Sequence, residues 1–284
     1  MDTTTILDRL RFPESTRWRD GRVWLCNWLA SEILAVDPAD GSAEVMATVP
    51  VPIPFCIDWL PDGRLLVTCG MERRLLAQAD DGALEPYAYL TGVVAKGAIN
   101  EIVVDGRGHA FVNGGGYDMM AGEDPAPGPI VCVAPDGEAR EVADGIHFGN
   151  GMALTPDDAT LIVAESHAAR LTAFAIGEDG SLGDRRVWAD LGEGAAPDGI
   201  CLDAAGAVWY ADVPNKHCVR VAEGGEVLEV VRADRGCFAC VLGGADGQTL
   251  FIAAAEWDDD AGMVAPETGQ LLAAPAPAQH HGRP

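Results

Sequence analysis

Short apolar stretches, separated by turns rich in Asp and Gly, run along the whole chain. The recurrent unit is an apolar strand, a turn that opens with Asp, and a second apolar strand, as in FCIDWLPDGRLLVTC from Phe55. Hardly any window shows the roughly 3.6-residue period of an amphipathic helix. An Asp at the start of a turn suits a tight connection between strands. We therefore interpret the six turn carboxylates as structural: Asp20, Asp62, Asp105, Asp157, Asp203 and Asp246.

The unit recurs six times at a nearly regular spacing. Equivalent second-strand positions are 42, 45, 51, 47 and 42 residues apart: Val23, Leu65, Ala110, Leu161, Val208 and Leu250. A second, shorter hairpin follows each unit, so each repeat holds four strands. A period in the forties with four strands is typical of a propeller blade. The sequence predicts an all-β fold, a six-bladed β-propeller of four-stranded antiparallel blades, in a single domain over residues 1–284.

The two ends of the chain carry half-finished elements. The last hairpin lacks its outer strand, while TTTILDRL near the N-terminus precedes the first repeat with no local partner. Pairing the two would remove two open sheet edges. We expect the N-terminal strand to close the ring by completing the sixth blade, and the tail from about Gln279 to Pro284 to be disordered.

Composition narrows the classes of partner. The chain has 44 Asp plus Glu against 19 Lys plus Arg, a formal net charge of −25. This charge argues against nucleic acid or an anionic membrane as a partner, because phosphate would repel it. No apolar run approaches the roughly 18 residues of a membrane span. The start of the sequence lacks the pattern of a signal peptide, so the cytoplasm is the expected compartment, and the eight cysteines are expected to be buried thiols.

Four of the six repeats place an oxygen-bearing side chain at the start of the first strand, where the chain enters the central channel. These residues are Glu14, Asn100, Asn150 and Asp198. Two carboxylates and two amides form a hard, oxygen-only donor set that suits Ca²⁺, Mg²⁺ or Mn²⁺. The alternative is that each is a turn residue bonded to its own backbone. Four such residues in register favour a metal site.

The sequence resembles the senescence marker protein, gluconolactonase and luciferin-regenerating enzyme family from about Phe12 to Gln279. The resemblance lies in Pro13-Glu14 before Trp18, Asn100-Glu101 before VVDGRG, Asn150-Gly151-Met152-Ala153 before TPD, and Pro197-Asp198-Gly199 before CLDAAGAVW. It implies a six-bladed hydrolase with one divalent metal ion bound by Glu14, Asn150 and Asp198. Ca²⁺ is the expected ion, with Mg²⁺, Mn²⁺, Zn²⁺ or Fe²⁺ as alternatives.

The resemblance also implies a reaction, the hydrolysis of a lactone or similar small-molecule ester with the metal acting as a Lewis acid on the carbonyl. Asp198 is then the expected general base, and a hydroxide on the metal is the competing nucleophile. Asn100 would face the substrate, as in the lactonases, or join the metal, as in related phosphotriesterases. Organophosphate hydrolysis and a non-catalytic, ligand-binding propeller with a structural ion are the alternatives. The sequence leaves the oligomeric state open.

Several positions bear on the substrate. Sugar-acid lactonases of this family often carry Arg two residues before the first Asn, where this chain has Ala98, and this difference predicts a less polar lactone or ester unless Lys96 substitutes for the Arg. The long Gly- and Pro-rich loop after the third blade's second strand is either a pocket wall, with Tyr117 and Asp118 binding substrate, or a passive surface loop. His147 is a further substrate-binding candidate at the channel mouth. No GxSxG, GxxxxGK[ST], HExxH or GxGxxG motif supports another enzyme class.

Overall fold

Six four-stranded antiparallel sheets form the ring. The structure is a computed structural model that describes residues 2–258 and 262–283. The first three blades comprise β2–β5 (Pro13–Arg19, Arg22–Asn27, Glu32–Val36, Ala43–Thr48), β6–β9 (Ile57–Trp59, Leu65–Cys69, Arg74–Gln78, Leu84–Tyr89) and β10–β13 (Ile99–Val104, Ala110–Gly114, Gly128–Val133, Ala139–Ile146). Blades four and five comprise β14–β17 (Gly149–Leu154, Thr160–Glu165, Arg170–Ile176, Leu182–Asp190) and β18–β21 (Pro197–Leu202, Val208–Asp212, His217–Val221, Val227–Arg232). The predicted six-bladed β-propeller is confirmed.

The sixth blade is built from both ends of the chain. Its strands are β22 (Gly236–Gly243), β23 (Thr249–Ala255), β26 (Gly269–Pro275) and β1 (Thr4–Leu10). β1 pairs antiparallel with β26, with Thr4 opposite Ala273 and Leu10 opposite Gly269. The N-terminal strand therefore closes the ring, as the sequence predicts. A small hairpin of β24 (Trp257–Asp258) and β25 (Met263–Val264) lies between β23 and β26, and two 3₁₀ turns span Trp28–Ala30 and Ser166–Ala168.

The predicted turn carboxylates have structural roles. In five of the six turns the Asp carboxylate accepts a hydrogen bond from the backbone N–H two residues later: Asp62, Asp105, Asp157, Asp203 and Asp246. Asp20 takes a left-handed backbone conformation (φ 51°) instead. Both arrangements are typical of Asp in tight turns.

The core lies between adjacent blades, where the apolar faces of neighbouring sheets meet. Its largest fully buried side chains include Trp209, Phe55, Phe111 and Phe251. All eight cysteines are free and buried, which confirms the interpretation of them as buried thiols. Within the described residues, no helix is long and apolar enough to cross a membrane.

Residues 279–283, which the sequence predicts to be disordered, are ordered in the structure. They lie over the turns that join the two innermost strands of blades three, four and five. His280 forms an isolated antiparallel β-bridge with Asp203, and Arg283 forms one with Leu154. The guanidinium of Arg283 also donates to the carbonyl of Val104 (3.1 Å) and to Asp158 (3.2 Å). Backbone pairing and this charge-assisted contact hold the segment at the face opposite to the strand starts. Pro284 lies outside the described residues.

Candidate metal site and cavity

A cavity of about 1180 Å³ opens at the end of the ring where the innermost strands begin. All four predicted donors line it: Glu14, Asn100, Asn150 and Asp198. Each lies near the start of the innermost strand of its blade, on β2, β10, β14 and β18. The rotational near-symmetry of the repeats therefore brings these side chains into one cavity.

Each candidate donor lies at an irregularity in its strand. The pairing of the innermost strand with its neighbour shifts between Glu14 and Arg17 in the first blade. Equivalent shifts flank the other three donors, between Ile99 and Ile102, Gly149 and Met152, and Pro197 and Ile200. A β-bulge re-aims a side chain and is common beside active sites. The same local distortion, repeated in four blades, explains why these polar groups leave the ladder and reach the cavity.

The glycines that follow two of the donors have a packing reason. A Cβ on Gly151 would lie 2.5 Å from the carbonyl oxygen of Asp198 and 2.5 Å from the amide nitrogen of Ile200. A Cβ on Gly199 would lie 2.7 Å from the Cα of Ala239. Only glycine allows this approach of neighbouring innermost strands. The Asn-Gly and Asp-Gly pairs of the sequence thus combine a donor with the close contact that positions it.

Hydrogen bonds connect the donors to one another. The amide of Asn100 donates to Oδ1 of Asn150 (3.3 Å), and Asn150 is also hydrogen-bonded to the side chain of Asp198. Nδ2 of Asn150 donates to Oγ of Ser166 (3.4 Å), and this hydroxyl donates to the carbonyl of Pro197 (2.7 Å). Ser166 therefore connects the starts of β14 and β18, which carry Asn150 and Asp198, and the repeat pattern did not reveal it.

The two carboxylates lie in an unfavourable electrostatic environment. Burial raises the pKa of Glu14 to about 8, although the amide of Ser15 and the charge of Arg17 act in the opposite direction. Burial and the neighbouring Glu14 raise the pKa of Asp198 well above its usual range. Arg17 itself is hydrogen-bonded to Glu101 (2.9 Å). Two adjacent carboxylates that disfavour their own ionisation are the environment that a bound cation relieves.

The chemistry of the donor set fits a hard divalent cation, because all four side chains offer carboxylate or amide oxygens. Among residues 2–258 and 262–283, no group of three or more His, Cys, Asp or Glu side chains is placed to hold a metal. The set described above has two carboxylates and two amides, so it is not a cluster of that kind.

A buried ion pair supports the floor of the cavity. Arg17 donates to Glu101 and also to the carbonyl of Ile102 (2.7 Å). The amide of Asn113 donates to the carbonyl of Asn150 (2.6 Å), and its oxygen accepts from the N–H of Glu101 (3.2 Å). Sequence reasoning missed this network. The sequence signal for this network was a pair of oppositely charged residues, Arg17 and Glu101, within two predicted innermost strands.

Of the other residues predicted to bind substrate, two line the cavity and one does not. Tyr117 and Asp118 line the cavity, so their loop forms part of its wall. His147 is exposed and does not line it; its backbone N–H donates to Glu165 (2.9 Å). His167 lines the cavity instead; it belongs to the 3₁₀ turn Ser166–Ala168, is exposed, and stacks on Phe148 with 4.5 Å between the ring centroids.

Comparison with known proteins agrees with this architecture. The model of the SMP-30/Gluconolactonase/LRE-like region matches residues 12–256. A 6-deoxy-6-sulfogluconolactonase from Pseudomonas putida is 26% identical over 250 residues, 82% of this chain and 79% of that protein. The structure of a luciferin-regenerating enzyme superposes with a TM-score of 0.82 at 15% identity, covering 99% of this chain and 98% of that one.

A second solved structure, a calcium-binding protein, regucalcin, from Agrobacterium tumefaciens, superposes with a TM-score of 0.78 at 21% identity and covers 97% of this chain and 92% of that one. At these identities the two structures establish the fold alone. The match of the family model covers most of the sequence, including the candidate donors Glu14, Asn100, Asn150 and Asp198. The chain belongs to the SMP-30/gluconolactonase/LRE-like family.

Proposed function

We propose that this protein is a divalent-metal-dependent lactonase that holds one cation through Glu14, Asn150 and Asp198. The observation that carries the proposal is the convergence of two carboxylates and two amides, each at a β-bulge, on the floor of one large cavity. Family membership and the lactonase relative support lactone hydrolysis as the reaction class. The calcium-binding neighbour and the oxygen-only donors favour Ca²⁺ as the ion.

When bound, the cation would supply Lewis-acid stabilisation of the charge that develops on the ester carbonyl oxygen. Asp198, partly open to the cavity, would accept the proton of the attacking water. The water oxygen bonds to the carbonyl carbon, the ring C–O bond breaks, and the proton passes to the leaving alkoxide to give a hydroxy acid.

Neighbouring residues would orient these groups. Ser166 and Asn100 fix the amide of Asn150 by hydrogen bonds on its two sides. Asn100 also faces the cavity, where its amide would orient the ester. In the alternative function, Asn100, which lies within hydrogen-bond distance of Asn150, joins the cation and the site hydrolyses phosphotriesters.

The test is a metal-dependence assay. Protein stripped of metal with EDTA is restored with Ca²⁺, Mn²⁺ or Zn²⁺. It is then assayed with aliphatic, aromatic and sugar lactones and with paraoxon, and hydrolysis is monitored as release of protons. We expect lactone turnover that vanishes on stripping and returns with metal, and that falls by at least about a hundredfold in Asp198→Ala and Glu14→Gln. Glu85→Gln, an exposed carboxylate on β9, is the matched control.

The outcomes separate the three functions. Faster turnover of paraoxon than of any lactone would favour the phosphotriesterase. Metal binding without turnover of any substrate would favour a non-catalytic propeller with a structural ion. Lactone turnover that survives both metal stripping and Asp198→Ala would refute the mechanism.

A further inference from the structure

Four apolar side chains that line the cavity, here called the apolar layer, precede the four donors along the chain. Two residues before each of the four donors, at the last position before the bulged strand start, stand Phe12, Ala98, Phe148 and Ala196. All four line the cavity. Phe12 and Phe148 both have left-handed backbone (φ 67° and 54°), which is rare for an aromatic residue. The same repeat offset that collects the polar donors therefore collects a ring of side chains without any hydrogen-bonding group.

Aromatic side chains extend this layer towards solvent on one side. Phe12 contacts Trp28 (ring centroids 4.8 Å apart) and Phe238 (5.0 Å), and Phe238 contacts Trp257 (6.2 Å). We call these four residues, from blades one and six, the first aromatic wall. The indole N–H of Trp28 donates to the carbonyl of Phe55, so the polar atom of this ring has a partner outside the cavity.

A second aromatic wall comes from blades three and four. Phe148 lies between Tyr117 (6.5 Å) and His167 (4.5 Å). Burial lowers the pKa of His167, with His147 acting in the same direction, so its ring favours the neutral form. The two walls flank the same cavity and bracket the donor floor.

The rim of the cavity carries exposed apolar side chains. Four of the seven methionines line it, namely Met71, Met119, Met120 and Met263. Met119 is 60% exposed and Met120 81% exposed, and Trp257, which also lines the cavity, is 43% exposed. Flexible, polarisable methionines at a cavity mouth adapt to varied apolar ligands. Exposed large apolar side chains gathered at one opening mark a binding surface.

Within the part of the chain that the structure describes, three Lys or Arg side chains line the cavity; two of them, Arg235 and Arg73, are engaged with protein groups, and the third, Lys216, is exposed. Arg235 is bound to Asp234 (2.7 and 2.9 Å), and Arg73 donates to the carbonyl of Ala95 (2.8 Å). Lys96, the possible substitute for an Arg at position 98, is paired with Glu123 (2.8 Å) and does not line the cavity. A polyhydroxylated ring placed against the two aromatic walls would exchange water for apolar surface, whereas an alkyl or aryl substituent gains free energy from the same burial.

We infer that the substrate of this site is a lactone or ester bearing a bulky apolar substituent, alkyl or aryl, and that the two aromatic walls discriminate against sugar lactones. This inference rests on the proposed function and names its substrate class. The donor floor would take the ester group, and the apolar layer and the walls would take the substituent. The rim methionines would cover the part of the substituent that extends furthest from the floor.

The expected preference follows from the buried area. Burial of one methylene is worth about fourfold in binding, so the pentyl chain of δ-decalactone would contribute about a thousandfold if fully buried and about thirtyfold if half buried. A hydrophobic pocket does not strongly reject an added hydroxyl, so most of the discrimination comes from this gain. We expect δ-decalactone to exceed glucono-δ-lactone in kcat/KM by at least about thirtyfold.

The experiment compares these two lactones, which share a six-membered ring, and also the two corresponding lactams as non-hydrolysable ligands. Lactam binding is measured by calorimetry and by tryptophan fluorescence, since Trp28 and Trp257 line the cavity. The first variant is Phe148→Asn, because Asn tolerates the left-handed backbone conformation of this position. The second is Trp257→Ser, at a partly exposed position of the rim. Tyr89→Ser, 63% exposed on the outer strand of the second blade, is the control.

We expect the decalactam to bind at least about thirtyfold more tightly than the gluconolactam, and each wall variant to reduce this ratio by about tenfold while the control does not. Equal binding, or a ratio insensitive to both wall variants, would overturn the inference. Efficient turnover of gluconolactone with poor turnover of decalactone would overturn the inference and leave the lactonase proposal intact. Absence of turnover of either lactone, with no binding of either lactam, would overturn both.

Discussion

The buried ion pair between Arg17 and Glu101 should contribute measurably to the free energy of unfolding. Arg17 and Glu101 have side chains only 5% and 7% exposed, with 2.9 Å between the guanidinium and the carboxylate. In Arg17→Met, Glu101 would retain a buried charge with the N–H of Ile102 as its remaining donor. Removing one partner of a buried pair typically costs about 3–5 kcal/mol.

The predicted loss corresponds to a measurable shift in melting temperature. At about 2.1 cal/mol/K per residue, a chain of 284 residues has an unfolding entropy near 0.6 kcal/mol/K. A loss of about 4 kcal/mol would then lower the melting temperature by about 7 °C. Replacing both charges, in Arg17→Met with Glu101→Leu, should recover most of the loss, because well-packed apolar pairs often match a buried ion pair in stability.

The assay is equilibrium unfolding in urea followed by tryptophan fluorescence, with a double-mutant cycle to isolate the coupling between the two residues. The matched control is Arg22→Met, which breaks an exposed pair with Glu44 at 2.8 Å and should cost less than about 1 kcal/mol. A cost below about 1 kcal/mol for Arg17→Met, or a double variant as unstable as the sum of the single variants, would refute the reasoning.

Three further predictions concern single elements of the ring. Burial alone would raise the pKa of Glu165, but hydrogen bonds from Arg170, the His147 amide and Thr172 hold it below its usual range. The stability that this group contributes is present above the unfolded pKa and lost as pH falls through the folded value, so Glu165→Gln should cost about 2 kcal/mol at pH 7 and progressively less below about pH 4 in urea titrations. Ser166→Ala should weaken Ca²⁺ binding by about tenfold in calorimetry, since the hydroxyl orients Asn150. Deletion of residues 2–9 should lower the free energy of unfolding by at least about 2 kcal/mol, measured in urea, because it removes the strand that pairs with β26.

Each of these has an outcome that contradicts it. For Glu165, a stability difference that grows as the solution is acidified would reverse the sign of the argument. For Ser166, unchanged Ca²⁺ affinity would show that Asn150 is held by other contacts, with Ser181→Ala in an exposed turn as the control. For the N-terminal strand, full-length stability after deletion would show that the ring does not depend on the closing pair.

The fold was predictable because its signal is periodic. Six copies of the same hairpin, with Asp at the turn, indicate both the blade number and the strand count, and the missing outer strand of the last hairpin indicates the role of residues 4–10. The same periodicity indicated the four candidate donors, since equivalent offsets meet at the axis of a ring, and all four line one cavity. Glu14 and Asp198, which are 184 residues apart in sequence, line one cavity for this reason.

Besides the network of Arg17 and Glu101, the contacts that the pattern did not reveal lie outside the repeat. Ser166 reaches Asn150 from a 3₁₀ turn that follows a second strand, and His167 lines the cavity where His147 was expected. Such placements depend on loop geometry that differs from blade to blade. The C-terminal segment has no periodic pattern either, so the sequence did not predict the hydrogen bond from Arg283 to the carbonyl of Val104. Contacts between non-equivalent loops require coordinates.

The proposed cation site can be observed directly in an anomalous difference map from crystals grown with Mn²⁺. We expect one peak at the floor of the cavity, within coordination distance of oxygens of Glu14, Asn150 and Asp198, and its loss in the double variant Glu14→Gln with Asp198→Asn. A map without a peak at saturating Mn²⁺, or a peak bound by other residues, would contradict it.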